Sequence, residues 1–328
     1  MFSPNEIIFV PTQKCNLRCE HCFTRKNNDS LDFAQVKDFL LSAKNHGIET
    51  LGFSGGEPFL NKNFLFDVVA FAVENDFYFD RIMTNALWAK NEDDLISSLE
   101  SLQAAGFDGK IGISFDCFHN QNPERIALFI EKATSLWQER GICQLVAVKK
   151  DNGDNKKTLQ MYEKLSALLN GKLIFESDGF PSIIQFDEEL ENQINFYENA
   201  NCLEIHWIDY IAENYEDAHF WQSDVWFEED FCSGPGNVLY VHGNGDVACC
   251  CGYANEEHAL VLGSLCEDTF ETIMENAKNK PILKTIYETG LLHHAEFLEK
   301  KGYAFPGKGR TKDNCLFCGY CIKNNLLQ

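Results

Sequence analysis

Three cysteines on one short loop have the clearest capacity for chemistry. Cys15, Cys19 and Cys22 lie in the run Pro11 to Phe23, PTQKCNLRCEHCF, spaced C-x3-C-x2-C directly after the apolar run Ile7 to Val10. Thiolate sulfur is the usual ligand of iron–sulfur clusters, and three thiolates leave the fourth iron of a cubane open to a chelating small molecule. A zinc knuckle or a disulfide loop is the plainer alternative. Zinc favours two C-x2-C pairs and a closed four-ligand shell, which these three residues alone do not supply.

A second motif, Gly55-Gly56-Glu57-Pro58, begins 33 residues after Cys22 and follows another apolar run, Thr50 to Phe53. Two motifs in this order, each behind a predicted strand, resemble the radical S-adenosylmethionine (radical SAM) superfamily. The resemblance implies a [4Fe–4S] cluster on Cys15, Cys19 and Cys22, with S-adenosylmethionine (SAM) at its open iron. One electron then cleaves the S–C5′ bond and frees a 5′-deoxyadenosyl radical. It implies that Gly55, Gly56, Glu57 and Pro58 receive the methionine amino group, glycine permitting close backbone approach. It places Asn85 and Ser114 or Asp116 where the family binds ribose hydroxyls and the methionine carboxylate, and His21 where a ring packs against adenine. Read without the resemblance, Gly55 to Pro58 is a tight turn, and Asn85, Ser114 and Asp116 are helix caps or turn residues. His119 is either a surface histidine or a residue facing substrate.

Positioning these groups requires a frame. From Ile7 to about Phe186, apolar runs at Ile7–Val10, Thr50–Phe53, Arg81–Met83, Ile111–Phe115, Leu145–Val148, and Leu173–Phe175 continuing to Ile183-Ile184 alternate with amphipathic segments. Val36, Phe39, Leu40 and Ala43, then Leu65, Val68, Val69 and Ala72, then Ile126, Phe129, Ile130 and Ala133 recur at helical spacing. This βα alternation predicts a parallel sheet wrapped by helices, and Asp32 with Gln35 predicts a capping pair. Six units are fewer than a closed barrel needs, and the resemblance implies an α/β fold with an open, partial (β/α)6 barrel over residues 1–186. Cys15, Gly55, Asn85, Asp116 and Lys149-Lys150 each follow a predicted strand, where parallel barrels place active sites.

Residues 187–231 break this rhythm with an acidic and aromatic stretch and are expected to bridge two domains. Residues 232–328 are cysteine-dense, a second, metal-dependent module. Its C232-x12-G245-x4-C250 pattern matches the opening of the auxiliary-cluster modules named SPASM and twitch, followed only by Cys315-x2-Cys318-x2-Cys321. That suffices for one auxiliary [4Fe–4S] cluster on Cys232, Cys250, Cys315 and either Cys318 or Cys321, with a zinc ribbon as the structural alternative.

The run Gly245 to Cys251, GDVACCC, with Cys315-x2-Cys318-Gly, Asn85-x2-Trp88 and Ser114-x-Asp116-x2-His119, resembles the epipeptide-type peptidyl epimerases. That likeness implies a ribosomally made precursor peptide as substrate, abstraction of a Cα hydrogen, and return of another from a thiol on the opposite face. Here Cys251 would be that donor, against the alternatives that Cys249 and Cys251 are buried thiols or that one of them is the ligand. Cys117, Cys143, Cys202 and Cys266 read as structural. Thioether or carbon–carbon crosslinking or oxidation of a peptide is the alternative chemistry, and an iron–sulfur or zinc scaffold or electron carrier the non-enzymatic one.

Composition bounds these readings. The 328 residues carry 50 acidic and 28 basic side chains, a net charge of -22, which opposes a nucleic-acid backbone and favours a basic peptide region if it favours any partner. Fourteen cysteines without a secretory signal or membrane anchor point to a reducing cytoplasm and to metal. A small electron carrier such as flavodoxin or ferredoxin is the expected reductant. With the first strand inside the first ten residues, no leader-recognition domain is expected before the barrel.

Overall fold

The computed structural model describes all residues except Met1, Phe23, 151–154, 187–201, 211–214, 229–236, Lys308, Gln328 and the side chain of Asp209. In chain order the amino-terminal part runs β1 (Glu6–Phe9), α1 (Phe33–Asn45), β2 (Thr50–Phe53), α2 (Lys62–Glu74), β3 (Tyr78–Thr84), α3 (Glu92–Ala104), β4 (Lys110–Ser114), α4 (Pro123–Trp137), β5 (Cys143–Lys149) and α5 (Lys156–Leu168). It continues with β6 (Gly171–Phe175), β7 (Pro181–Phe186), β8 (Cys202–Asp209), β9 (Val238–Val241), β10 (Asp246–Ala248) and β11 (Val261–Ser264). The chain closes with α6 (Phe270–Lys278), α7 (Pro281–Lys284), a π-helical turn at Thr285–Thr289, α8 (Leu291–Lys300) and α9 (Asn314–Lys323).

Two compact units result. One comprises Pro11–Cys22 and Leu51–Tyr210, the other Met1–Val10, Phe23–Thr50 and Ile211–Gln328. These units divide the chain differently from the sequence boundaries at 186 and 231. The first strand groups with the carboxy-terminal part because β1 pairs in parallel with β9 from Glu6–Val238 to Phe9–Val241.

In the unit containing Leu51–Tyr210, the strand order is β2-β3-β4-β5-β8-β7-β6. The pairs β3–β4, β4–β5 and β5–β8 are parallel. Helices α2 and α4 bury the apolar stripes predicted for them. The register aligns Thr84 with Ile113 and Ser114 with Val146, with β5 running on to Lys149, so the parallel strands bring Asn85, Asp116 and Lys150 to one end of the sheet.

The sixth strand is corrected by the structure. Residues 173–184, expected as one further strand, form the antiparallel hairpin of β6 and β7. Its reversal is made by Asp178-Gly179: Gly179 has φ +85°, and the Asp178 carboxylate accepts from the Phe180 amide. On the side of β5 away from β4, the parallel neighbour is β8, contributed by the stretch expected as a bridge.

In the other unit the order is β11-β10-β9-β1. Helix α1 opens with the expected capping box of Asp32 and Gln35, and buries Val36, Phe39, Leu40 and Ala43. Phe39 meets Phe270 of α6 with ring centroids 5.3 Å apart.

Candidate active site and auxiliary metal centre

The cysteine loop is clamped from behind by the glycine motif. The Gly56 amide donates to the Thr12 carbonyl at 3.2 Å and the Glu57 amide to the Lys14 carbonyl at 2.8 Å. A Cβ on Gly56 would stand 2.1 Å from the Lys14 oxygen, so only glycine permits this approach. Gly55 has φ +112°, which requires glycine for a separate reason. Close backbone approach, expected toward a methionine, is seen here toward the residues leading into Cys15.

Glu57 is fully buried and caps the 3-10 turn at Pro58–Asn61 by accepting from the Phe59 amide. Its two oxygens also take the Thr84 hydroxyl at 2.9 Å and the Asn85 amide at 2.8 Å. Burial pushes its carboxyl up to about 7 in spite of these donors from Asn85, Thr84 and Phe59. Asn85, so anchored, directs its side-chain amide to the Asn16 oxygen at 2.9 Å and to Cys15 Sγ at 3.7 Å. The Leu17 amide donates to the same sulfur at 3.4 Å. Two N–H donors aimed at Cys15 Sγ suit a thiolate ligand.

Asp116 is likewise buried, and its carboxylate joins the ends of β4 and β5. One oxygen accepts from the Phe118 and His119 amides and from His119 Nδ1 at 2.8 Å, the other from the Val148 amide at 3.0 Å. Burial would raise this carboxyl, but the hydrogen bond and charge of His119, the Val148 amide and the charge of His21 outweigh it and hold it below the usual carboxylate range. Ligand atoms of His21, Asp116 and His119 come within 4.8 Å of one another. Both Asp116 oxygens are engaged by protein donors, and His21 joins the group through ring packing on His119.

His21 packs edge-on against the His119 and Phe118 rings, with centroids at 4.7 and 5.5 Å. The Lys150 ammonium stands 4.9 Å from the Phe118 ring and 4.3 Å from the Tyr210 ring. Gln121 was not singled out in the sequence. Its buried amide donates to the Asn85 carbonyl at 2.8 Å and to the Ser114 carbonyl, tying β3 to β4. Its Oε1 is buried without a hydrogen-bond partner among the described residues. Only its place before the Asn122-Pro123 helix start hints at a positioned residue.

The carboxy-terminal cysteines form a separate site. Cys249, Cys250, Cys315 and Cys318 line one pocket walled by Leu260, Ile286, Tyr287 and Leu291. The Gly252 amide donates to Cys250 Sγ at 3.2 Å, and a Cβ at Gly252 would lie 3.2 Å from Cys315 Sγ and 3.6 Å from Cys250 Sγ. Glycine therefore leaves the two sulfurs open to a shared group. Cys315 and Cys318 of α9 line this pocket, whereas Cys321 of the same helix is fully buried and does not. Burial drives its thiol far up. Cys249 donates its thiol to the Leu260 carbonyl. Tyr215 is pushed up to about 12 by burial, then by the charges of Glu257 and of Cys318, Cys250 and Cys315. Its ring occupies the space a Cβ at Gly319 would need, 2.6 Å away. Cys251 packs on the apolar cluster of Val10, Tyr240 and Ala248. Cys232 lies outside the described residues. Among the described cysteines no pair is joined as a disulfide. No helix of the described residues is long and apolar enough to cross a membrane.

Both parts of the chain match known protein families. Residues 9–140 match the radical SAM superfamily and residues 232–294 the SPASM iron–sulfur cluster-binding domain. The chain is 23% identical over 335 residues to the antilisterial bacteriocin subtilosin biosynthesis protein AlbA of Bacillus subtilis, covering 97% of this chain and 66% of that protein. It is 34% identical over 119 residues to an uncharacterized protein of Methanocaldococcus jannaschii, covering 34% of this chain and 38% of the other. The chain thus spans less than two thirds of either relative. In fold it is similar to Streptococcus suis SuiB bound to the precursor peptide SuiA, with a TM-score of 0.56 at 13% identity over 96% of this chain and 76% of that one. The chain carries a radical SAM core, whose cofactors are a [4Fe–4S] cluster and S-adenosylmethionine, followed by a SPASM iron–sulfur module.

Proposed function

We propose that this chain modifies a ribosomally made precursor peptide, and that the modification is L-to-D epimerisation at Cα. The observation carrying the peptide assignment is the alignment with AlbA along 97% of the chain, supported by the likeness in fold to SuiB with its precursor peptide. Cys15, Cys19 and Cys22 hold the first cluster, and Asn85 and the Leu17 amide steady Cys15. When bound, that cluster and SAM supply a 5′-deoxyadenosyl radical able to take a Cα hydrogen. Gln121 Oε1 offers a buried acceptor beside Asn85 and Ser114, where the ribose hydroxyls are expected. Cys250, Cys315, Cys318 and Cys232 hold the auxiliary cluster.

Cys251 returns a hydrogen atom from its thiol to the opposite face of Cα, its S–H bond breaking as the Cα–H bond forms, and the thiyl left behind regains the thiol by taking one electron from a one-electron reductant and a proton from solvent. A residue next to a cluster ligand is held rigidly, as a donor must be. The test is anaerobic turnover in deuterium oxide with precursor peptides encoded near the gene. Epimerisation adds one mass unit per modified residue. The Cys251→Ala variant is expected to form 5′-deoxyadenosine but no deuterated D-residue. A product lacking two hydrogens would replace epimerisation by crosslinking or oxidation, and normal D-residue formation in the variant would remove Cys251 from its role.

A further inference from the structure

Tyr215 bridges the two segments that bear the auxiliary cysteines. Its ring lies on Gly319, the residue after Cys318, where a Cβ would stand 2.6 Å from Cζ and 2.7 Å from Cε1. Its hydroxyl donates to the carbonyl of Tyr253, three residues past Cys250, at 3.3 Å. Besides burial, the charges of Glu257 and then of Cys318, Cys250 and Cys315 bear on that hydroxyl, so the phenol stands beside all three thiols.

The residue is held from behind. The Trp221 indole donates to the Tyr215 carbonyl at 2.7 Å. Trp221 is fully buried, stacked on Phe305 with centroids 5.4 Å apart and edge-on to Tyr320 of α9 at 4.8 Å. Tyr215 itself is only partly buried, so it stands between solvent and the cysteine-bearing helix. Glycine inside a helix is unfavourable, since alanine is the better helix former. Gly319 is nonetheless required in α9, because the Tyr215 ring fills the place of its missing side chain.

An apolar cover over an iron–sulfur centre excludes water, which favours the reduced form because that form carries one more negative charge. Such a cover therefore holds the reduction potential down and keeps oxygen from the sulfurs. On the reading that Cys250, Cys315 and Cys318 hold an iron–sulfur cluster, we infer that the Tyr215 ring is the solvent-side cover of that centre and sets its reduction potential and its resistance to air. The hydroxyl, with its long hydrogen bond to Tyr253, contributes little beside the ring.

The test uses the full chain carrying Cys15→Ala/Cys19→Ala/Cys22→Ala, reconstituted without oxygen, so that only the auxiliary centre remains. Iron and sulfide are counted first. Reduction potential and the rate of bleaching in air are then measured after adding Tyr215→Phe, Tyr215→Leu, Tyr215→Ala or Gly319→Ala. Tyr215→Phe is expected to bleach within about twofold of the triple variant alone, and Tyr215→Ala and Gly319→Ala about tenfold faster and at a higher potential. Tyr215→Leu should fall between them, and it carries the comparison if the alanine variants hold no cluster. With the ring gone, Gly319→Ala on top of Tyr215→Ala is expected to add nothing. Potentials and bleaching rates unchanged in Tyr215→Ala or Tyr215→Leu would overturn the inference, as would a phenylalanine variant as labile as the alanine one. Zinc in place of iron and sulfide in the triple variant would overturn the auxiliary-cluster reading, and the inference with it, before any cover variant is compared.

Discussion

In the amino-terminal site, Cys15 sits in a frame of hydrogen bonds: Gly56 and Glu57 grip the backbone at Thr12 and Lys14, and Asn85 reaches the sulfur from β3. In the carboxy-terminal site, Cys250 and Cys315 face each other across Gly252 between apolar walls, and burial withdraws Cys321 of α9 from the pocket that Cys315 and Cys318 line. The first arrangement leaves three thiols on a loop, suited to an open iron. The second collects sulfurs from positions 65 residues apart, suited to a closed shell. The same ligand chemistry is thus tuned by whether backbone or side-chain packing holds the sulfur.

The largest effects should separate the two sites outright. Cys318→Ala is expected to lose about four iron ions per chain while reductive SAM cleavage at the other site persists, and Cys321→Ala to lose none. Iron and sulfide counts check both. Equal loss from the two variants would mean that α9 presents a different face to the metal.

Next comes the pH dependence of the amino-terminal frame. Glu57 rises from its ordinary value near 4.5 to about 7, so between those values the folded chain binds more protons than the unfolded one. Stability from this group is full below the lower value and falls as pH rises through the folded one, by up to about 3 kcal/mol. Denaturant titrations at pH 4.5 and 7.5 should show the wild type losing more stability than Glu57→Gln over that window. Parallel pH dependence in the two proteins would mean that Glu57 is not the titrating group.

A similar or smaller effect is expected for Gly56→Ala, which forces a Cβ against the Lys14 carbonyl and should cost about 1–3 kcal/mol. It should lower iron content at the amino-terminal loop alone. Smallest is Gln121→Leu, which removes the amide link between the Asn85 and Ser114 carbonyls. A loss of about 0.5–1.5 kcal/mol in thermal or denaturant stability is expected, offset in part by the apolar replacement.

Much of this frame was legible in advance. Strands β1 to β5 and the buried stripes of α1, α2 and α4 follow from periodicity, because each element buries one face whatever its neighbours are. The hairpin of β6 and β7 was missed because the Asp178-Gly179 turn lies between two apolar runs that read as one strand. The roles of Glu57 and Asp116 as internal staples were hidden as well, since a carboxylate beside a motif reads equally as ligand, cap or staple until its donors are known.

The sequence alone determined the cysteine loop and the glycine motif, because cluster ligation and tight backbone approach depend on residue type and local spacing. Only the tertiary structure decided that Gly56 approaches Lys14, that Asn85 reaches Cys15, and that Cys318 rather than Cys321 joins Cys250 and Cys315 at one pocket. Those outcomes depend on which groups meet across long chain separations, and burial and hydrogen-bond geometry set that after the local elements have formed.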